Sequence, residues 1–119
     1  MPNNCRQENI VVLSDEALEK ERSKGHPLLV EIGAEWCGTC HIMAPVLAEL
    51  AAQFKDRVKF ARLNIASSEQ LAREYGISEL PFLLFYRNGE VVDYIVGMAS
   101  KRELNQRLCN LLANSTGQI

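Results

Sequence analysis

The sequence lacks the features that mark several classes of protein. Its 13 basic and 15 acidic residues leave a formal net charge of −2, and without a basic run this argues against a nucleic-acid-binding surface. No apolar stretch approaches the roughly 18 residues needed to span a membrane. The first eight residues are polar and lack the hydrophobic core of a signal peptide. We therefore expect a cytoplasmic protein without nucleic-acid or membrane partners.

Cysteine is also scarce, with four in 119 residues, too few for a disulfide scaffold. The apolar fraction of 47% is enough for one domain to fold around its own core. Cys37 and Cys40 form a C-x-x-C pair, which in a reducing compartment is catalytic or metal-binding. Structural zinc normally needs four protein ligands, and only Cys5, Cys109 and two histidines remain to complete such a set. Metal binding is therefore the minor alternative, and we expect no metal and no cofactor beyond the redox-active pair.

Hydrophobic periodicity and turn signals predict an α/β domain with the element order β-α-β-α-β-α-β-β-α. Strands separated by helices are expected to pair in parallel, and a final hairpin turning at Asn88-Gly89 should add an antiparallel edge. The result is a mixed central sheet of about five strands with helices on both faces. We predict a flexible leader at residues 1–8, the domain at 9–114 and a frayed tail at 115–119. Helix starts are predicted at Ser14, and at capping boxes that begin with Ser67 and Ser100.

The Cys37–Cys40 pair lies between a short apolar run, Leu28 to Ile32, and a longer segment with helical periodicity. This layout places Cys37 at a strand-to-helix junction and Cys40 in the first turn of the helix. Unpaired amide groups and the positive end of the helix dipole would then face the first sulfur and favour its thiolate. The spacing also lets the second sulfur reach the first and close a small disulfide. The pattern predicts a thiol–disulfide redox site.

Several stretches in order resemble the thioredoxin family, from about Asn9 to Asn114. They are Ala34-Glu35-Trp36-Cys37-Gly38-Thr39-Cys40, Ala44-Pro45, Tyr75-Gly76-Ile77 through Leu80-Pro81, Phe85-Tyr86-Arg87-Asn88-Gly89-Glu90, and Gly97. The resemblance implies the thioredoxin fold and a protein disulfide oxidoreductase. It also implies protein disulfides as substrates, a thioredoxin-reductase-like electron donor and a monomeric protein.

The resemblance implies a role for each matching residue. Cys37 would attack a substrate disulfide, and Cys40 would resolve the mixed disulfide. Pro81 would follow a cis peptide bond and present the Leu80 backbone to a bound peptide; a proline at a sheet edge without function is the alternative. The remaining substrate-binding positions would be Trp36, Gly38, Thr39 and Gly97. Trp36 would shield the cysteines and touch substrate, unless it is a plain surface aromatic residue.

Two positions near the cysteines are expected to modulate the chemistry. Glu31 matches a buried family aspartate and would accept the proton of Cys40, directly or through water. Arg62 matches its lysine partner, and the alternative is that Glu31 is simply a buried acid held ionised by Arg62. His41 stands where the family often has lysine, and a protonated imidazole there would favour the thiolate.

Other functions remain open at this point. Thr39 replaces the usual proline between the cysteines, and with His41 it motivates an oxidant or isomerase as an alternative to a reductase. A protein-docking module with dispensable redox chemistry is a third possibility. We expect no role for Cys5 or Cys109, and a solvated loop position for His26.

Overall fold

The structure, a computed structural model, describes residues 9–116, with side chains described through residue 113. The strands are β1 (Ile10–Val12), β2 (Leu28–Gly33), β3 (Lys59–Asn64), β4 (Phe82–Arg87) and β5 (Glu90–Val96). The helices are α1 (Asp15–Arg22), α2 (Gly38–Gln53), α3 (Glu69–Tyr75) and α4 (Lys101–Thr116), and a 3₁₀ turn covers Ile65–Ser67. The element order is as predicted. Residues 1–8 and 117–119 lie outside this description, while 115 and 116, assigned to the predicted tail, continue α4.

The strands form one mixed sheet in the order β1-β3-β2-β4-β5. β3 pairs in parallel with β1 and β2, whereas β4 is antiparallel to both of its neighbours, β2 and β5. β2 therefore lies at the centre of the sheet, and all six of its residues are buried. This burial explains its nearly continuous apolar sequence. The loop that carries the cysteines directly follows this central strand.

The orientation of β4 contradicts our expectation that strands separated by helices pair in parallel. α3 has seven residues and so rises only about 10 Å, whereas β3, with six residues, extends about 20 Å. Because α3 is too short to return the chain to the start of the sheet, β4 enters from the end at which β3 finishes. The predicted antiparallel edge is confirmed, because β5 pairs with β4 at the border of the sheet.

Helices cover both faces of the sheet, and each face has its own core. On one face α2 and α4 contribute Met43, Leu47, Leu50, Phe54, Leu104, Leu108 and Leu111. On the other face α1 and α3 contribute Leu18 and Leu71, which pack with Leu28, Val30 and Ile32 of β2. The alternation of β2 side chains between the faces joins the two cores through one strand. Within residues 9–116, no helix has the length and apolar character needed to cross a bilayer.

Short-range signals set most of the boundaries. The Ser14 hydroxyl accepts a 3.1 Å hydrogen bond from the Ala17 amide at the start of α1. Asn88 and Gly89 both have positive φ, at 55° and 83°, which is the geometry of a tight hairpin turn. The predicted cap of α3 at Ser67 is wrong. Ser67 belongs to the 3₁₀ turn, and the N-cap is Ser68, whose side chain makes no capping hydrogen bond.

Candidate active site

The junction between β2 and α2 carries the two cysteines. Cys37 is the N-cap of α2, and its Sγ accepts a 3.1 Å hydrogen bond from the Cys40 amide nitrogen. Cys40 lies in the first turn of the helix, and the two residues form a disulfide with their Cα atoms 5.3 Å apart. The junction, the position of Cys40 and the bond between the sulfurs are as predicted. After reduction, the same amide groups and helix dipole favour a thiolate at Cys37.

The surroundings of the disulfide are more open than the cysteines themselves. Only 5% of Cys37 and 8% of Cys40 is exposed, whereas Trp36 is 76% exposed. The Trp36 side chain therefore lies largely in solvent. Gly38 and His41 are also exposed, and His41 Nε2 donates a 2.8 Å hydrogen bond to the Glu35 carbonyl. This bond ties the imidazole to the loop that precedes Cys37.

Thr39 connects the cysteine turn to the entry of β4. Its Oγ1 lies 3.3 Å from Cys37 Sγ and donates a 3.0 Å hydrogen bond to the Leu80 carbonyl oxygen. The Leu80–Pro81 peptide bond is cis, as predicted. The Thr39 hydroxyl therefore links the Leu80 carbonyl to the Cys37 sulfur. The sequence predicted that Thr39 and Leu80 lie in the groove, but not the hydrogen bond between them. The available signal was the hydroxyl-bearing residue between the two cysteines.

Gly97, at the end of β5, faces the same loop. Its amide donates a 2.8 Å hydrogen bond to the Pro81 carbonyl, and its φ is +84°. The carboxylate of Glu79 occupies the place where a Gly97 side chain would stand. A Cβ added to Gly97 would be only 2.7 Å from Glu79 Oε2. Glu79 is exposed and forms no ion pair with the residues that the structure describes. Sequence reasoning missed this negative charge, because the contact is made by residues distant along the chain.

Glu31 lies beneath the cysteines and is paired with Arg62. Only 4% of Glu31 is exposed, and its Oε1 accepts a 2.8 Å hydrogen bond from Arg62 Nε. A Cβ on Gly33 would lie 3.0 Å from Cys40 Sγ and 3.8 Å from Glu31 Oε2. The missing side chain of Gly33 thus leaves space between the sulfur and the carboxylate. An open cavity reaches this space, lined by Glu31, Gly33, Cys40, His41, Ala44 and Arg62 among others.

A second buried carboxylate, Glu21, lies beyond the other end of β2. Its Oε2 is 2.9 Å from His26 Nε2 and 3.4 Å from Lys59 Nζ, and its Oε1 is 3.4 Å from Lys24 Nζ. His26 lies in a loop with its side chain 37% exposed, and its ring also contacts this buried acid, which the sequence did not indicate. Burial raises the pKa of Glu21, but attraction to Lys59 and hydrogen bonds from Lys59 and Lys24 outweigh it and hold the pKa below its ordinary value.

The other cysteines lie away from this site. Cys109 is an exposed free thiol on α4, and the prediction for Cys5 falls outside the described residues. Among the residues that the structure does describe, no group of three or more His, Cys, Asp or Glu side chains is arranged to hold a metal ion.

Comparison with known proteins relates most of the chain to one family. Residues 9–110 match the family model described as Thioredoxin. Thioredoxin 1 of Nostoc sp. is 39% identical over 82 residues, covering 69% of this chain and 77% of that protein. Thioredoxin of Alicyclobacillus acidocaldarius is 32% identical over 102 residues, covering 86% of this chain and 97% of the relative. The chloroplastic M-type thioredoxin of Pisum sativum is 38% identical over 82 residues, covering 69% of this chain and 48% of the pea protein.

A disulfide at the N-terminus of a helix, beside a cis-proline loop and on a mixed five-stranded sheet, defines a class of thiol–disulfide oxidoreductases. The chain belongs to the thioredoxin family. It is a thiol–disulfide oxidoreductase that acts on protein disulfides, and Cys37 and Cys40 form its disulfide.

Proposed function

We propose that this protein reduces protein disulfides, with Cys37 as the attacking residue and Cys40 as the resolving residue. The observation that carries the assignment of roles is the hydrogen bond from the Cys40 amide to Cys37 Sγ at the start of α2. An amide donor and the helix dipole stabilise negative charge on the first sulfur. The second sulfur lies inside the first turn, within bonding distance of the first. In the reduced protein the two thiols therefore differ in reactivity.

In the first step, the Cys37 thiolate attacks one sulfur of a substrate disulfide. The substrate S–S bond breaks, a Cys37–substrate mixed disulfide forms, and the other substrate sulfur leaves as a thiolate that takes a proton from water. The substrate has then released one of its two cysteines, and the protein is covalently attached to the other.

In the second step, Cys40 loses its proton and attacks Cys37 Sγ. The mixed disulfide breaks, the second substrate thiolate leaves, and the Cys37–Cys40 disulfide forms. The substrate has gained two electrons and the protein has lost them. We propose Glu31 as the proton acceptor, because its carboxylate and Cys40 Sγ both border the space left by the missing side chain of Gly33. Arg62 would orient the carboxylate through its 2.8 Å hydrogen bond.

The substrate would lie in the groove between the cysteine turn and the cis-proline loop. An extended peptide can pair there with the Leu80 backbone next to Pro81, as in other β-strand additions. Gly97 adjoins this groove through its hydrogen bond to the Pro81 carbonyl, with the Glu79 carboxylate in the place of a side chain. The exposed Trp36 and Gly38 flank Cys37. His41, held by its hydrogen bond to the Glu35 carbonyl, would favour the thiolate when its imidazole carries a positive charge.

We propose that the protein acts as a monomer in the cytoplasm and is recycled by a thioredoxin-reductase-like donor. The Cys37–Cys40 pair would serve as its only redox group, because thiol–disulfide exchange between cysteines needs no other electron carrier.

Insulin reduction by dithiothreitol tests the proposal. The wild-type protein should accelerate precipitation of the insulin B chain well above the rate with dithiothreitol alone, and Cys37→Ser should abolish the acceleration. Cys40→Ser should instead accumulate a mixed disulfide that is visible by mass spectrometry. Equal acceleration by wild type and Cys37→Ser would contradict the proposal.

Equilibration with glutathione buffers tests the direction of electron flow. A reductase should keep the Cys37–Cys40 disulfide oxidised until a large excess of reduced glutathione is present. A pair that is reduced by a modest excess would identify an oxidant or isomerase instead.

A further inference from the structure

The hydroxyl group of Thr39 lies between two acceptors but has one proton to give. Its Oγ1 is 3.0 Å from the Leu80 carbonyl oxygen and 3.3 Å from Cys37 Sγ. A threonine hydroxyl rotates about its C–O bond and donates to whichever acceptor binds the proton more strongly. The choice therefore depends on the chemical state of Cys37, and it affects a backbone group of the proposed substrate groove.

In the oxidised protein, the choice favours Leu80. Cys37 Sγ is then a neutral disulfide sulfur, which is a weak acceptor, whereas a backbone carbonyl is a strong one. The hydrogen bond in the structure has this direction, from Thr39 Oγ1 to Leu80 O. One lone pair of the carbonyl that an extended peptide would need for pairing is therefore taken by Thr39, and this makes the carbonyl a weaker acceptor for a second hydrogen bond.

In the reduced protein, the choice reverses. A thiolate at Cys37 carries a full negative charge, and hydrogen bonds to charged acceptors are roughly twice as strong as those between neutral groups. Thr39 then donates to the sulfur and the Leu80 carbonyl loses its donor. A partly exposed carbonyl left without a partner readily accepts a hydrogen bond from an incoming amide.

We infer that the Thr39 hydroxyl is a redox-dependent positioning group that leaves both lone pairs of the Leu80 carbonyl to substrate in the reduced protein and takes one of them in the oxidised protein. The inference rests on the proposed function, since it makes the electron-donating form the one that binds a peptide more tightly. The oxidised form, which has finished its reaction, releases the product because Thr39 reclaims the carbonyl. The same movement stabilises the Cys37 thiolate before attack.

Two variants separate this role from a structural one. Thr39→Val removes the hydroxyl and keeps the shape of the side chain, whereas Thr39→Ser keeps the hydroxyl and serves as the matched control. The probe is a fluorescein-labelled insulin B-chain peptide with serine in place of its cysteines, so that binding occurs without disulfide exchange. Fluorescence polarisation gives its affinity for the oxidised and reduced forms of each protein at a pH where Cys37 is a thiolate.

The wild type and Thr39→Ser should bind the peptide about 3- to 10-fold more tightly when reduced, the ratio expected for one net hydrogen bond. In Thr39→Val the carbonyl is free in both states, so both forms should bind like the reduced wild type. The oxidised variant should therefore bind more tightly than the oxidised wild type, an effect that simple loss of structure would not produce. Equal affinities for the two wild-type forms, or no gain in oxidised Thr39→Val, would overturn the inference.

Alkylation of the reduced proteins by iodoacetamide supplies a second readout. The rate at Cys37, followed by mass spectrometry of the peptide that contains it, should have its pH midpoint about one unit higher in Thr39→Val, because the thiolate loses a charge-assisted hydrogen bond. Thr39→Ser should match the wild type, and an unchanged midpoint in Thr39→Val would contradict the role. Neither measurement involves turnover, so each can fail while insulin reduction succeeds.

Discussion

Two buried carboxylates lie near opposite ends of the central strand β2, and their surroundings differ. Glu21, beyond the N-terminal end, lies within 3.4 Å of Lys24, Lys59 and His26. Glu31, nearer the C-terminal end, has Arg62 as its ion-pair partner at 2.8 Å. The space beside Glu31 also opens to a cavity and to the Cys40 sulfur. Both side chains are almost fully buried, so burial alone does not distinguish them.

The two carboxylates differ in whether their surroundings give a proton a path to and from the side chain. Lys59 and Lys24 lower the pKa of Glu21, so it stays charged and holds α1 against the start of β3. Glu31 has one cation on one side and a thiol-bearing residue on the other, and the cavity gives water a path to both. This arrangement allows a proton to arrive and to leave. The comparison therefore predicts a structural acid at one end of β2 and a chemical acid at the other.

The largest expected effect is on the second step of the reaction in Glu31→Gln. The amide keeps the shape and can still bond to Arg62, but it cannot accept the Cys40 proton. Resolution of the mixed disulfide should slow about 100-fold, within the range for general base catalysis. Dithionitrobenzoate makes this visible in a Cys5→Ser, Cys109→Ser background. The first thionitrobenzoate, released by Cys37, should appear at the wild-type rate and the second should be delayed.

Glu21→Gln is the control for that experiment, since it removes the other buried charge. Both thionitrobenzoate phases should match the wild type. A normal second phase in Glu31→Gln would show that Glu31 is another structural acid.

The next largest effect is the loss of stability in Glu21→Gln. Removal of the carboxylate leaves its cationic neighbours without their shared partner, and the free energy of unfolding should fall by about 1–2 kcal/mol, since those neighbours are partly exposed. Urea denaturation measures the change. Specific activity per folded molecule should stay at the wild-type level, and a fall in activity without a fall in stability would contradict the structural assignment.

The contribution of Glu21 should depend on pH in a defined direction. Its pKa in the folded protein lies below the ordinary value of 4.5, so its stabilisation is present above that value and is lost as the pH falls through the folded pKa. The difference in unfolding free energy between wild type and Glu21→Gln should therefore be constant from about pH 6 to pH 5 and shrink at more acid pH. A difference that grew on acidification would show that the pKa is raised instead.

The smallest expected effect comes from a buried polar group outside both acids, the hydroxyl of Tyr86 in β4. Its oxygen has no hydrogen-bond partner among the described residues, and burial raises the pKa of Tyr86 to about 12. Tyr86→Phe should raise the free energy of unfolding by about 1 kcal/mol at neutral pH, because an unsatisfied group is removed from the core. Arg22, 5.3 Å above the ring, can stay in place.

Thermal denaturation at neutral pH checks the change, with Tyr94→Phe as the control because Tyr94 is 59% exposed. The wild type should also lose stability relative to Tyr86→Phe above about pH 10, where the unfolded tyrosine ionises and the buried one does not. A destabilised Tyr86→Phe would indicate that the hydroxyl has a partner in the folded protein.

Features set by neighbouring residues could be predicted from the sequence, and features set by the packing of distant segments could not. Ser14 begins a helix, and Asn88-Gly89 turns a hairpin, because each acts on groups a few residues away. The direction of β4 depended on the length of α3, and the bond from Thr39 to Leu80 depended on where β4 then begins. Likewise, the contacts of Lys59 with Glu21 and of Glu79 with Gly97 arise only after the sheet has formed.

The cysteine site could be predicted from the sequence only in part. Its two sulfurs and the start of α2 are local, so spacing alone placed them correctly. The cis bond before Pro81 was predicted through resemblance, since the isomer is not encoded in any nearby pattern that we could identify. The space beside Gly33 needed the structure, because it is defined by Cys40 and Glu31 together.

The sulfur of Cys37 caps α2 by accepting a 3.1 Å hydrogen bond from the Cys40 amide. A negatively charged sulfur is a better acceptor for that amide than one shared with a second sulfur. The hydrogen bond that caps the first turn of α2 is therefore strongest in the reduced protein, and it weakens when the disulfide forms. Hydrogen–deuterium exchange at the Cys40 amide should thus be slower in the reduced protein than in the oxidised protein.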